Sequence, residues 1–141
     1  SAEPCNSAHM SAPQRLRPDG LVRSPAFSHV AIVPPGATTI YVGGQNAVDS
    51  SGALIGDGDV AAQSVRALQN VATALAAAGA SLRDVVQWTV FIAEGADLGA
   101  AYGAIGPRLA GPGAPPLVTA AAKARQLGRK HSPQLVRGRS L

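Results

Sequence analysis

Hydrophobic positions along this 141-residue chain change their period several times, and each change predicts an element. The runs Phe27-Ser28-His29-Val30-Ala31-Ile32-Val33 and Thr38-Thr39-Ile40-Tyr41-Val42 are short, β-branched and aromatic. Pro34-Pro35-Gly36 separates them as a turn, so the pattern predicts an antiparallel hairpin closed by Gly43-Gly44-Gln45. Asp49-Ser50-Ser51-Gly52 predicts a second turn before a short strand, Ala53-Leu54-Ile55. The spacing then lengthens. Ala61, Val65, Leu68, Ala72, Leu75 and Ala78 recur every three or four residues, predicting a long helix that starts near Val60 and stops at Gly79. Asp57 or Asp59 can cap it. Alternation returns in Val85–Ile92, where Val86, Trp88, Val90 and Ile92 form an apolar face and predict a central or half-buried strand. Asp97 can cap a second helix through Leu98, Ala101, Tyr102 and Ile105, expected to be short or broken because Gly99, Gly103, Gly106 and Pro107 oppose it. A rigid Gly111–Pro116 linker leads into a strand at Leu117-Val118-Thr119, and Gln134-Leu135-Val136 predicts a last one. The order describes an α+β layer, a sheet with two helices on one face, whose other face needs a partner.

Composition narrows this picture. The length suits one domain with its own core, and only 14% of residues are charged, with 16 Gly and 11 Pro. Such a sparsely charged, turn-rich surface fits an oligomer. Residues 1–10 hold the only Cys (Cys5), the only Met (Met10) and a His9-Met10 end, and read as a cloning remnant before a domain over 11–141. No run approaches a membrane span and the start lacks a secretory pattern, so a cytoplasmic protein is expected. The net charge of +4 is uneven, because every acid precedes residue 98. The basic end, with Lys123, Arg125, Arg129, Lys130, Arg137 and Arg139, invites an RNA partner but offers no aromatic residue for base stacking. A solvated basic tail is the simpler reading.

Isolated chemistry-bearing residues add little. Ser28 and His29 are strand neighbours, which point to opposite faces, and no carboxylate completes a triad. His9 and His131 lack ligands at metal-binding spacing, so no metal site is expected. Gly43-Gly44 lacks the pattern of a phosphate loop. Trp88 and Tyr41 read as core or interface residues.

Five segments carry a resemblance: Phe27-Ser28-His29; Ile40-Tyr41-Val42-Gly43-Gly44-Gln45; Asp59-Val60-Ala61-Ala62-Gln63; Ala77-Ala78-Gly79-Ala80-Ser81-Leu82-Arg83-Asp84-Val85-Val86; and Thr89-Val90-Phe91-Ile92. In this order and spacing they resemble the Rid family, also called the YjgF family of reactive-intermediate deaminases. The resemblance implies a chorismate-mutase-like α+β fold, a homotrimer with clefts at the subunit interfaces, and hydrolysis of 2-imino acids and their enamines to 2-keto acids and ammonia without a cofactor. It also implies a site. Phe27 takes the place of a pocket tyrosine, Gly43, Gly44 and Gln45 form the strand-end turn, and Tyr102 stands where the family often has Asn. The family's Pro-Ala-Arg-Thr segment, whose Arg holds the substrate carboxylate, corresponds to Pro115–Thr119, with Leu117 read at the arginine and Val118 beside it. No carboxylate follows Asp97 to serve the attacking water, and residues 120–141 diverge from the family's last strand.

Leucine cannot bind a carboxylate, so these residues predict an altered interfacial pocket for a small apolar or carbonyl-like metabolite. The alternatives are an active deaminase using a relocated arginine, Arg125 or Arg137, and a noncatalytic trimer that binds RNA or protein.

Overall fold

The computed structural model describes residues 12–122. Strands β1 (Gln14–Leu16) and β2 (Val30–Ile32) pair antiparallel, Gln14 opposite Ile32. Helix α1 (Val60–Ala77) and a single 3₁₀ turn (Leu82–Asp84) precede β3 (Trp88–Ala93). Helix α2 (Leu98–Leu109) then crosses over to β4 (Leu117–Ala122), which pairs parallel with β3. The result is a small α+β fold with two helices and two two-stranded sheets.

Local chemistry explains the helix ends. The Asp59 carboxylate accepts the Ala62 amide at 3.0 Å, choosing between the two expected caps. Asp97 accepts from Ala100 in the same way at 2.9 Å. After the C-cap Ala78, Gly79 takes a positive φ of 74° and lets the Ala80 amide return to the Leu75 carbonyl at 2.9 Å. Gly56 is required twice over: its φ is 73°, and a Cβ there would stand 2.8 Å from that of Ala62. Its carbonyl accepts the Gln63 side chain at 2.8 Å, fixing the turn against α1.

The core lies where α1 meets α2, with Leu68, Leu75, Ala101 and Ile105 buried. Exposure alternates along β3, with Trp88, Val90 and Ile92 half-buried and Thr89, Phe91 and Ala93 open. Val90 pairs with Thr119, and the Tyr102 hydroxyl hydrogen-bonds the Thr119 hydroxyl, so α2 lies on the side of the sheet that carries Trp88, Val90 and Ile92. Phe91, 71% exposed, stands on the opposite face.

Four expectations are corrected. The partner of the 27–33 run is Gln14–Leu16, a segment with no predicted element, and not Thr38–Val42, which holds no strand. Strand propensity at 38–42 is not enough without a paired backbone, and Tyr41 is 93% exposed, neither core nor covered within the chain. The Ala53–Ile55 strand is reduced to one bridge, Val48 to Leu54, beyond the predicted turn at Asp49. Helix α2 runs unbroken for 12 residues despite its glycines. Its Pro107 forgoes the bond to the Gly103 carbonyl but stands in the last turn, where a bend carries only Arg108 and Leu109 with it, while burial of Ala101 and Ile105 against α1 outweighs the low propensity. The β3 strand begins at Trp88, three residues later than its apolar pattern. The predicted strand at Gln134–Val136 and the basic cluster lie outside the described residues.

Candidate functional site

Arg17, the residue after β1, ties together the backbone segments next to the candidate site. Arg17 donates from Nε to the carbonyls of Ser24 (3.2 Å) and Phe27 (3.1 Å), and from its terminal nitrogens to Gly111 (2.8 Å) and Pro112 (3.1 Å). It bridges the turn before β2 to the linker before β4. The Gly111 amide donates to the Pro25 carbonyl at 2.8 Å and the Ser28 amide to Pro115 at 3.4 Å, so segments 24–28 and 111–115 run together. Arg15 does comparable work elsewhere, donating to Pro13 at 3.3 Å, Arg83 at 2.9 Å and Val85 at 2.8 Å.

Phe27 is half-buried at this junction and packs edge-on to His29, ring centroids 5.5 Å apart. The His29 Nε2 donates to the Val22 carbonyl at 2.9 Å, which commits that nitrogen to the backbone. Ser28 is only 2% exposed, and its hydroxyl has no partner among the described residues. The pair is therefore no nucleophile and base, as its strand positions already implied.

From Pro115 the chain enters β4 through Pro116, whose carbonyl accepts the Trp88 amide at 2.9 Å. Leu117 pairs with Trp88 and shares its helix-facing side; Val118 pairs with Thr89 and stands on the open face, 48% exposed. Tyr102 meets this strand through its bond to Thr119. Tyr102 is thus tied to β4 through Thr119, Leu117 lies on that helix-facing side and Val118 on the other, and the segment of Phe27 meets the linker before β4 through the Ser28 amide and Pro115. Gly43, Gly44 and Gln45 are not tied to it by any hydrogen bond among the described residues. All are exposed, and the Gln45 amide donates only to the Gly43 carbonyl, at 3.3 Å.

Sequence reasoning missed Arg15, Arg17 and Thr119. The available signal is an Arg-x-Arg pair flanking Leu16, whose two-residue spacing sends both side chains to one side of an extended segment. A shallow groove of about 330 Å³ lined by Ala72, Ala76, Ala80, Ser81, Leu82 and Arg83 contains none of the candidate residues. Among the charged groups, Asp49 is shifted: hydrogen bonds from the Ser51 hydroxyl first, then from the Ala53 and Ser51 amides, with Arg66 nearby, hold its carboxyl below the ordinary value. It serves the 49–53 turn rather than the site.

Comparisons with known proteins agree with this architecture. The family profile described as Endoribonuclease L-PSP matches residues 22–130. A rat (Rattus norvegicus) protein, 2-iminobutanoate/2-iminopropanoate deaminase, is 38% identical over 74 residues, 52% of each chain, so the match spans about half of that relative. The crystal structure of YyfB from Yersinia pestis, a conserved Rid-family protein of unknown function, superposes with a TM-score of 0.68 over 83% of this chain and 90% of that one, at 24% identity. That likeness concerns the fold. With a family profile spanning most of its length, the chain belongs to the Endoribonuclease L-PSP family, which is the Rid or YjgF family.

Proposed function

We propose that the chain forms a homotrimer of chorismate-mutase-like subunits whose interfacial cleft keeps the walls of an imine deaminase but lacks its carboxylate clamp. Such a cleft takes a small metabolite bearing a neutral carbonyl. The observation that carries the reading is the start of β4, where Leu117-Val118-Thr119 presents aliphatic side chains on both faces of the strand and a hydroxyl bonded to Tyr102, with no charged group among them. A 2-imino acid needs a bidentate cation for its carboxylate and a placed water for attack on the C=N carbon. No cation lies on this stretch of strand, and the sequence has no carboxylate after Asp97.

Matching the family segment without a gap places the lost arginine at Val118, one residue after Leu117. In the family's Pro-Ala-Arg-Thr segment the residue between Ala and Thr carries the guanidinium, and Pro116 and Thr119 fit the outer positions without a gap. That puts Val118 at the arginine and Leu117 at the alanine. Exposure supports it, since Val118 stands on the open face while Leu117 sits half-buried beside Trp88. Self-association finds support on the same face, because Phe91 and Val118 are exposed there, and Val30, Ile32, Val33 and Tyr41 add further uncovered apolar surface.

Sedimentation and 2-iminobutanoate hydrolysis test the reading together, the imine being generated by an amino-acid oxidase and the survivor trapped with semicarbazide. A trimer without rate acceleration is expected. Clear acceleration would favour the relocated arginine instead, and a monomer across micromolar concentrations would remove the interfacial cleft.

A further inference from the structure

We infer that Arg17 is a positioning residue for the pocket, a clip that sets Phe27 against the start of β4. The inference rests on the proposed function only in taking Phe27 as a pocket wall. Its geometric content is independent of any ligand.

Four carbonyls converge on the Arg17 guanidinium, two from 24–27 and two from 111–112, at 2.8 to 3.2 Å. One of them is the carbonyl of Phe27 itself. Among the described residues no other arginine hydrogen-bonds a candidate pocket residue. A planar guanidinium with donors along its edges can reach carbonyls on two separate segments at once. A lysine ammonium presents its donors from a single nitrogen and cannot span the same set. Between Arg17 and the pocket the path is short: Gly111 and Pro112 lead through Pro115, which accepts from Ser28, to Pro116 and Leu117. Loss of the clip frees the Phe27 turn from the linker that delivers β4, and the ring shifts relative to Leu117 and Val118. Among the described residues Arg17 has carbonyl partners and no carboxylate, so its role is geometric holding of backbone.

Arg15 supplies the control. It sits two residues earlier, within β1, and also donates to three carbonyls, but two of these belong to Arg83 and Val85, away from Phe27. A merely structural role would make Arg15→Lys and Arg17→Lys behave alike. The chain has only two phenylalanines, so 4-fluorophenylalanine labelling gives two fluorine resonances, with exposed Phe91 as the internal reference. Arg17→Lys is expected to move the Phe27 resonance and Arg15→Lys to leave it in place. Binding of 2-oxobutanamide, read by the fluorescence of the single Trp88 beside Leu117, is expected to weaken about fivefold or more in Arg17→Lys only, as preorganisation is lost.

An unmoved Phe27 resonance in Arg17→Lys, or equal movement in both variants, overturns the inference. If the wild type ignores 2-oxobutanamide, the carbonyl-pocket reading fails for that ligand while the fluorine result still decides Arg17. Should Arg17→Lys not fold, amide exchange in the wild type decides: the Ser28 and Gly111 amides are expected to be protected together, and fast exchange at both would overturn the clip.

Discussion

Restoring a guanidinium at the start of β4 separates the two registers of the family segment. Val118 is 48% exposed on the open face, so in Val118→Arg the charged head stays in water and folding stability changes by about 0.5 kcal/mol or less. Leu117 is half-buried on the side of Trp88. Leu117→Arg gives up part of that burial and pulls a charge toward α2, a loss of roughly 1–3 kcal/mol. The functional gain is set by the carboxylate. Two charge-assisted hydrogen bonds at about 1.5–3 kcal/mol each, less roughly 2 kcal/mol for ordering the new side chain, leave about 1–4 kcal/mol. That corresponds to roughly 5- to 1,000-fold in affinity for a carboxylate ligand. The assay is a titration with 2-oxobutanoate, the stable product of 2-iminobutanoate hydrolysis, followed by Trp88 fluorescence and accompanied by thermal melts. Val118→Arg is expected to gain saturable binding at an unchanged melting temperature. Gain in Leu117→Arg with none in Val118→Arg would refute the register, and gain in neither would refute a retained cleft.

Three other outcomes follow from the structure. Ser28→Ala removes a hydroxyl that is buried without a partner, a group that costs about 1–3 kcal/mol, so urea unfolding is expected to show a gain of about 1 kcal/mol; a loss would mean the hydroxyl is hydrogen-bonded in the assembled protein. Leu75→Ala, at a side chain 5% exposed between the helices, is expected to cost about 2–5 kcal/mol in the same experiment, and a smaller cost would mean the α1–α2 contact is not the core. Asp49 has its folded pKa held below 3.8, so its contribution is present above that value and fades as pH falls through the folded pKa. The stability gap between wild type and Asp49→Asn is therefore expected to close on acidification below about pH 4, and a gap independent of pH would contradict the turn hydrogen bonds.

Helices and caps were legible in the chain because their causes are local. The 3.6-residue repeat from Ala61 to Leu75, Asp59 and Asp97 at the N-caps, and Gly79 at the stop all act within a few residues of where they sit. The alternation around Val90 likewise announced a strand with one covered face. Of the candidate site residues, the structure shows Leu117 and Val118 adjacent at the start of β4, Tyr102 bonded to Thr119 of the same strand and Gly43–Gln45 exposed.

Pairing was decided elsewhere. A strand is stable only with a backbone opposite, so the β-branched run at Thr38–Val42 stayed unpaired while the unremarkable Gln14–Leu16 took the place beside β2. The roles of Arg15 and Arg17 came only with the fold, which brought carbonyls from 70 and 95 residues away to meet them. Sequence determined the two helices, their caps and the strands on either side of α2, since propensity and capping are properties of short segments. Tertiary structure decided which strands pair, which face Val118 occupies and what the arginines hold, because those depend on contacts between segments distant in the chain.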